Sequence, residues 1–253
     1  MHLWQIILLV WLVYAVALNI ALIRRSKTPA KTSSVSRGWG NRARILIVGA
    51  TGGTGRELVR QALDQGHKVT AFVRKPAKLK LEHPNLRICQ GNVLNYESVE
   101  AAMRDQNAVL SALGHKRFFW PTKILSRGTE NIMRAMKICH APRFVCETSL
   151  GVRDAVGRLG LPATLLFVPL VLPFYFWDRV RQEELIKNNT DLDWIVVRPA
   201  TLTNGSARGN YRHGRNVGNY IWPRRISRAD VADFMLQQVN DDTYVGQTPG
   251  ICY

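Results

Sequence analysis

The stretch ARILIVGATGGTGRELVRQALDQG, residues 43–66, decides the fold. It opens with an apolar, β-branched run (43–49), continues through the turn GATGGTG (49–55) and ends in an amphipathic segment (56–66). This pattern predicts a strand, a glycine turn and a helix. The run HKVTAFVR, residues 67–74, predicts a second strand that closes a βαβ unit.

The same alternation continues along the chain. Further strands are predicted at 86–90, 107–112, 143–148 and 193–198, and helices at 96–104, 121–139, 178–188 and 227–240. This spacing predicts an α/β fold, a Rossmann-like doubly wound parallel sheet over residues 43–253, whose ligand lies outside the carboxyl ends of the strands.

The glycine turn predicts a dinucleotide site. Gly49, Gly52 and Gly55 form G-x-x-G-x-x-G between a strand and a helix, where missing side chains let backbone N–H groups approach a pyrophosphate. The alternative is a tight structural turn. The turn lacks the GK[ST] ending of a P-loop, which disfavours a nucleoside triphosphatase.

The end of the second predicted strand bears on cofactor choice. An NAD-preferring site carries an acid there, whereas this chain has Arg74 and Lys75. Positive charge suits a 2′-phosphate and predicts NADP(H) over NAD(H). A solvated strand end in a basic protein is the alternative.

The N-terminus predicts a single transmembrane anchor, residues 1–24. Leu3 to Ile23 carry no charge over 21 residues, enough to span a bilayer as a helix. Residues 25–42 form a predicted basic flexible linker, and positive charge after the apolar run places the body in the cytoplasm. A cleaved signal peptide with Ala15-Val16-Ala17 at its end is the alternative.

Several segments together resemble a known family. They are GATGGTG (49–55), FVRKPAKL (72–79), GNVLNYESV (91–99), ALG (112–114), TS (148–149), DWIVVRPATL (193–202) and ISRADVA (226–232). The chain resembles the atypical short-chain dehydrogenases/reductases, an NAD(P)-binding NmrA-like group, and is similar to its biliverdin-IXβ/flavin reductase branch over roughly residues 43–250. In that branch a histidine follows the motif's proline, whereas Ala200 stands here, which puts biliverdin-type chemistry in doubt.

The resemblance implies which residues hold the cofactor. The pyrophosphate would lie on Gly49, Ala50, Thr51, Gly52, Gly53, Thr54 and Gly55, and the 2′-phosphate on Arg74. The adenine would lie beside Asn92, which replaces a usual aspartate, and Val93. The nicotinamide half would lie near Leu113, Gly114, Thr148, Ser149 and Pro199.

The same resemblance implies a serine, a tyrosine and a lysine four residues later as catalytic groups, but no tyrosine here has that lysine. The nearest set is Ser149, Tyr175 and Arg179. A guanidinium stabilises a phenolate but gives up no proton. The alternative is that Tyr175 belongs to an aromatic cluster without chemistry, and hydride transfer to a flavin or quinone needs none of the three.

Two further segments bear on partners. Leu159–Trp177 has no charge, yet Pro162, Pro169 and Pro173 would break a spanning helix, so we expect either an apolar lid dipping into the bilayer or a buried loop. Trp194–Ala229 carries seven arginines and no acid among aromatic residues, which favours a solvated or membrane-facing surface over single-stranded nucleic acid. The arginines are Arg198, Arg208, Arg212, Arg215, Arg224, Arg225 and Arg228.

Composition limits the function classes. The 253 residues are 46% hydrophobic with a formal net charge of +17, which excludes a disordered chain and favours anionic partners. Four scattered cysteines without a CxxC pair predict no metal site and a reducing compartment.

We expect a membrane-anchored NAD(P)H-dependent reductase of a small or lipophilic acceptor such as a flavin, quinone or carbonyl. The alternatives are a non-enzymatic NADP(H) sensor or membrane-complex assembly factor, and a nucleic-acid-binding regulator.

Overall fold

An eight-stranded sheet forms the centre of the protein. The computed structural model describes residues 3–22, 39, 42–115, 119–189 and 191–253, so most of the predicted linker lies outside the described residues. The strands are β1 Arg44–Val48, β2 Lys68–Val73, β3 Leu86–Gln90, β4 Ala108–Ser111, β5 Arg143–Glu147, β6 Asp193–Pro199, β7 Thr201–Thr203, β8 Arg212–Gly214, β9 Arg225–Ser227 and β10 Gly250–Cys252. The sheet order is β3-β2-β1-β4-β5-β6-β10-β8, with β8 antiparallel and the others parallel, while β7 pairs with β9 separately.

Helices cover both faces of this sheet. They are α1 Leu3–Leu22, α2 Gly53–Asp64, α3 Tyr96–Met103, α4 Ile124–Ile138, α5 Val168–Val171, α6 Pro173–Lys187 and α7 Arg228–Gln237. Side chains of β1 alternate between the faces: Ile45 and Ile47 belong to one buried cluster, and Leu46 and Val48 to another. The predicted Rossmann-like doubly wound fold is confirmed.

The strand order places the ligand site. From β1 the chain moves outward through β2 and β3, then returns to β4 on the other side of β1. The carboxyl ends of β1 and β4 therefore diverge into connections on opposite faces. This is the switch point at which such sheets bind ligands.

The apolar segment Leu159–Trp177 is helical. A π-helical turn, Ala163–Phe167, leads into α5, and the chain then bends by 98° before α6. The helix predicted at 178–188 begins earlier, at Pro173, because proline fits the first position of a helix. The bend excludes one straight helix through this segment.

Helix α1 is apolar along its whole length. Its residues Leu3–Ala21 have a mean hydropathy of 2.1, and among the described residues no other unbroken helix is long and apolar enough to cross a membrane. A signal sequence meets the same criterion. In the structure α1 lies against the π-helical turn, α5 and α6.

Candidate functional site

Three backbone segments meet closely at the glycine turn. Gly49 has φ +82°, and a Cβ atom there would lie 2.5 Å from the carbonyl oxygen of Ala112, just after β4. A Cβ on Gly55 would lie 2.1 Å from the carbonyl oxygen of Gly49. Both positions therefore require glycine, which lets α2 start directly against the end of β1.

The start of α2 suits an anion. Gly52 caps the helix and has no side chain to accept hydrogen bonds from the first turn. Such a turn presents its backbone N–H groups and the positive end of the helix dipole to a ligand. The glycine cradle thus fits the pyrophosphate of a dinucleotide, with Ala50, Thr51, Gly53 and Thr54 in or beside the turn.

Arg228 lies over this turn, although the sequence favoured a solvated or membrane-facing surface for it. The ideal Cβ position of Gly53 is 2.3 Å from the Cδ atom of Arg228, and the Arg228 guanidinium donates to Asn204 Oδ1 at 2.6 Å. Helices α2 and α7 pack together and bring it there. A half-buried guanidinium beside a helix N-terminus adds a phosphate-binding group.

Basic side chains border the opposite end of the turn. Arg74 is exposed directly after β2, where the 2′-phosphate was predicted. The guanidinium of Arg56 donates to the carbonyl oxygens of Thr51 at 3.2 Å and Lys78 at 2.9 Å. These contacts tie the glycine turn to the basic segment after β2.

Val93, predicted beside the adenine, and Leu113, predicted near the nicotinamide half, lie against the same glycine of α4. Val93 and Leu113 are both buried, and a Cβ on Gly128 of α4 would lie 2.9 Å from Val93 Cγ2 and 3.1 Å from Leu113 Cδ2. Asn92 is exposed, and its Oδ1 accepts a hydrogen bond from the Leu94 N–H at 3.1 Å. The site residues after β3 and β4 thus lie together.

Tyr175 and Arg179, two of the candidate catalytic residues, form a hydrogen bond. The Arg179 Nη2 donates to the Tyr175 hydroxyl oxygen at 2.6 Å and to the carbonyl oxygen of Leu113 at 3.1 Å. The Tyr175 hydroxyl lies 3.8 Å from the ideal Cβ position of Gly114. This hydroxyl therefore stands at the end of β4, and its oxygen is held by a fixed positive charge.

A buried carboxyl group connects this pair to the glycine turn. Thr54 Oγ1 donates to Glu147 Oε1 at 3.1 Å, and Arg179 Nη1 donates to the Glu147 carbonyl oxygen at 2.8 Å. Burial raises the pKa of the Glu147 carboxyl, although Arg179, Thr54 and Arg228 oppose that rise. Glu147 was not selected from the sequence, since it reads as the end of a buried strand.

The remaining predicted site residues are Thr148, Ser149 and Pro199, and the hydroxyl groups of the first two have different partners. Ser149 Oγ donates to the carbonyl oxygen of Leu150 at 2.8 Å, and Pro199 ends β6 nearby in the sheet. Thr148 is buried, and its hydroxyl donates to Glu183 Oε1 at 2.8 Å. Its side chain thus joins an interior network.

That interior network corrects one expectation. Arg198, predicted to belong to a basic surface, is only 2% exposed and forms hydrogen bonds to Glu183 at 2.6 and 3.0 Å. A buried arginine is tolerated when a carboxylate accepts hydrogen bonds from two nitrogens of its guanidinium group. No local pattern pairs Arg198 with Glu183, because the packing of α6 on β6 brings the two together.

The described residues contain no group of three or more His, Cys, Asp or Glu side chains arranged to hold a metal ion. All four cysteines are free thiols. Burial raises the pKa of Cys146 to about 12, so this thiol is unreactive at neutral pH.

Comparison with known proteins agrees with this geometry. Residues 49–242, from the first glycine of the turn to beyond α7, match the model of a family described as NAD(P)H-binding. The chain belongs to this NAD(P)H-binding family. The match spans the glycine turn, Arg74, the Tyr175–Arg179 pair and Arg228.

Three relatives of known sequence carry different names. The chain is 33% identical to the photosystem II assembly factor Ycf39 of Synechocystis over 81% of this chain and 61% of that protein. It is 25% identical to the chloroplastic protein TIC 62 of Pisum sativum over 76% of this chain and 39% of that protein. An uncharacterized chloroplastic protein of Arabidopsis thaliana is 30% identical over 66% of this chain and 62% of its own length. The chain thus spans less than two thirds of each.

Solved structures show the same fold. A Rossmann-fold NAD(P)-binding protein from Shigella flexneri is 28% identical, with a TM-score of 0.61 over 83% of this chain and 92% of that chain. The anaerobillin reductase ChuY of Escherichia coli is 22% identical, with a TM-score of 0.69 over 83% of this chain and 96% of that chain. These likenesses support the Rossmann-like sheet.

Proposed function

We propose that this protein is a membrane-anchored, NADPH-preferring reductase that transfers hydride to a small or lipophilic acceptor, a flavin, quinone or carbonyl compound. The observation that carries the proposal is the Tyr175 hydroxyl, which Arg179 holds at 2.6 Å beside Gly114 at the end of β4. The family resemblance puts the nicotinamide ring there. Oxidoreductase relatives such as ChuY support the class of chemistry only by analogy.

Each residue of the proposed site has its own role in binding or proton transfer. The glycine turn and Arg228 bind the pyrophosphate, Arg74 binds the 2′-phosphate, and Tyr175 donates a proton to a carbonyl oxygen. Bound NADPH supplies the hydride, which carries two electrons and one hydrogen. Burial lowers the pKa of Arg179, but the neighbouring Tyr175, Cys146 and Glu147 outweigh burial and raise it overall. Arg179 therefore stays protonated and stabilises the phenolate that forms when Tyr175 gives up its proton. Solvent then returns the proton.

Membrane attachment is part of the proposal. Helix α1 has the length and composition of a spanning helix, and the basic residues that follow it in the sequence favour a body on the cytoplasmic side. The exposed arginines near Trp222 add attraction to anionic headgroups. Binding to single-stranded nucleic acid that falls steeply with salt would instead favour the regulator alternative.

Replacing Tyr175 by phenylalanine tests the proton donor. We expect Tyr175→Phe to lower turnover of a carbonyl acceptor about 100-fold, since general acids contribute at least this much, and to leave NADPH affinity unchanged. Turnover of a quinone, which can take its proton from water, should change little. NADPH oxidation at 340 nm measures all three. Tyr211→Phe, beside edge strand β8, is the matched control.

The second candidate function is a non-enzymatic NADP(H) sensor or assembly factor. The lysine that usually follows the tyrosine is absent, and the relative Ycf39 is named an assembly factor. This candidate predicts NADPH binding without NADPH oxidation by any flavin, quinone or carbonyl. Binding and oxidation assays on the same preparation separate the two.

Arg74→Ala tests cofactor preference. Loss of a charge-assisted contact to the 2′-phosphate costs about 1.5–3 kcal/mol, so NADPH affinity should fall about 10- to 100-fold. NADH affinity should not change, because NADH has no 2′-phosphate. Tryptophan fluorescence titration measures both, and Lys80→Ala, an exposed lysine after the same strand, is the control. Equal losses for both nucleotides would remove the 2′-phosphate assignment.

A further inference from the structure

Exposed apolar side chains cluster on the helical segment before and around Tyr175 and on the loop 220–222. The cluster consists of Leu166, Phe167, Leu170, Phe174, Trp177 and the loop Tyr220–Trp222, whose side chains are 40% to 70% exposed. We call it the apolar rim. Its two parts touch, since the Leu161 N–H donates to the carbonyl oxygen of Ile221 at 3.1 Å. A continuous apolar surface of this kind marks a contact with a membrane or a partner.

The rim is continuous with α1. Asn19 Nδ2 donates to the carbonyl oxygen of Thr164 at 3.1 Å, and Ala15, one turn earlier, is completely buried. Most of the other side chains of α1 are exposed. Ala15 lies about 10 Å along the helix from its end at Leu22, since each residue rises about 1.5 Å. The bent helical segment thus packs beside the last part of α1, at a depth of less than one leaflet.

We propose that the apolar rim dips into the leaflet that α1 enters, so that the acceptor reaches Tyr175 laterally from the bilayer. A helix in hydrocarbon cannot pack against a segment that stays in water. The contacts of Asn19 and Ala15 therefore place residues 163–171 at the same depth as the end of α1. That depth suits interfacial helices, which insert about 5–10 Å.

The distribution of charge fits this placement. Asp178, the first charged residue after the apolar segment, is turned inward and accepts hydrogen bonds from the Leu125 N–H at 2.9 Å and Ser126 Oγ at 2.6 Å. Arg181 stacks near the Trp177 ring, 5.9 Å from its centroid, and Arg158 Nε donates to the Tyr220 hydroxyl at 3.4 Å. Arginines beside tryptophan and tyrosine are typical of the headgroup layer.

The position of Tyr175 between the site and the apolar rim indicates the class of acceptor. Its hydroxyl faces Gly114 in the site, while its neighbours Phe174 and Trp177 on α6 belong to the rim. One helix turn thus separates the reaction site from hydrocarbon. We infer an uncharged ring compound with an apolar tail, of the membrane-quinone class, which takes two electrons and one proton as hydride from NADPH and its second proton from water. This second step rests on the proposed reductase function, whereas the membrane contact of the rim rests only on the proposed anchoring by α1.

Labelling the rim tests the membrane contact. The full chain carries Cys89→Ser and Cys139→Ser, leaving the two buried cysteines, and Leu166→Cys is labelled with an environment-sensitive fluorophore in nanodiscs of phosphatidylcholine and phosphatidylglycerol. Ile138→Cys is the control, an exposed apolar residue at the C-terminal end of α4, where the chain leads into the start of β5. Lipids with a nitroxide on the acyl chain should quench the label at 166 several-fold more than that at 138.

The outcomes separate the proposals. Equal quenching at both positions would overturn the membrane contact, and so would quenching at 166 that appears only when a second copy or a protein partner is added. The readout needs neither NADPH nor turnover.

For the acceptor, Leu166→Glu with Leu170→Glu should raise KM several-fold for a long-tailed quinone dissolved in the nanodisc and leave KM for a short-tailed, water-soluble quinone unchanged. Equal effects on both quinones would overturn lateral entry.

Discussion

Gly55→Ala is expected to abolish measurable NADPH binding. The added methyl group would lie 2.1 Å from the carbonyl oxygen and 2.7 Å from the carbonyl carbon of Gly49, and 2.9 Å from the Ala50 Cα. All three are backbone atoms, so no side-chain rotation relieves the clash, and α2 must move away from β1. We expect an affinity loss of at least about 100-fold, equivalent to roughly 2.7 kcal/mol.

The reason is geometric. Displacing α2 removes its first-turn N–H groups from the pyrophosphate position and separates Thr54 from Glu147, whose oxygens are 3.1 Å apart. Tryptophan fluorescence titration of the full chain in nanodiscs measures the loss, and circular dichroism confirms that the variant is folded. A folded Gly55→Ala protein with unchanged NADPH affinity would show that the pyrophosphate binds elsewhere.

Two other glycines serve as controls. Gly205→Ala places its methyl group in open space, with no atom within 4 Å, so binding and stability should not change. Gly114→Ala places its methyl group 3.8 Å from the Tyr175 hydroxyl, an ordinary van der Waals distance. Its NADPH affinity should change far less than that of Gly55→Ala, because no backbone has to move.

The sequence predicted the parts of the fold that local pattern determines. Strands β1 to β6 are apolar runs long enough to identify, and the glycine turn marks the first connection. The four short strands β7 to β10 have three residues each and were missed, since pairing across the sheet rather than their own sequence makes them strands. Helix α6 was predicted, but its start was placed at 178 instead of Pro173, since that start depends on a proline inside an apolar run.

The site was predictable where it follows a motif. Gly49–Gly55 and Arg74 each follow a strand directly, and Tyr175 and Arg179 are one helix turn apart. Local spacing in the sequence therefore accounts for the position of each. Arg228 lies at Gly53 only because α2 packs on α7, which no local pattern states. Arg198 was assigned to the surface for the same reason, since its partner Glu183 lies on another element.

Arg198→Met is expected to lower the free energy of unfolding by about 3–5 kcal/mol, because it leaves the Glu183 carboxylate buried without its counter-charge. Arg198 and Glu183 are 2% and 0% exposed, and Arg198 also reaches Asp154 Oδ1 at 2.8 Å. Removing both charges, in Glu183→Leu with Arg198→Met, should restore much of the loss. Urea denaturation measures each variant. Arg60→Met, which breaks exposed pairs with Glu57 and Asp64, should cost less than about 1 kcal/mol. If the double variant is no more stable than Arg198→Met, loss of packing rather than an unpaired buried charge is the cause.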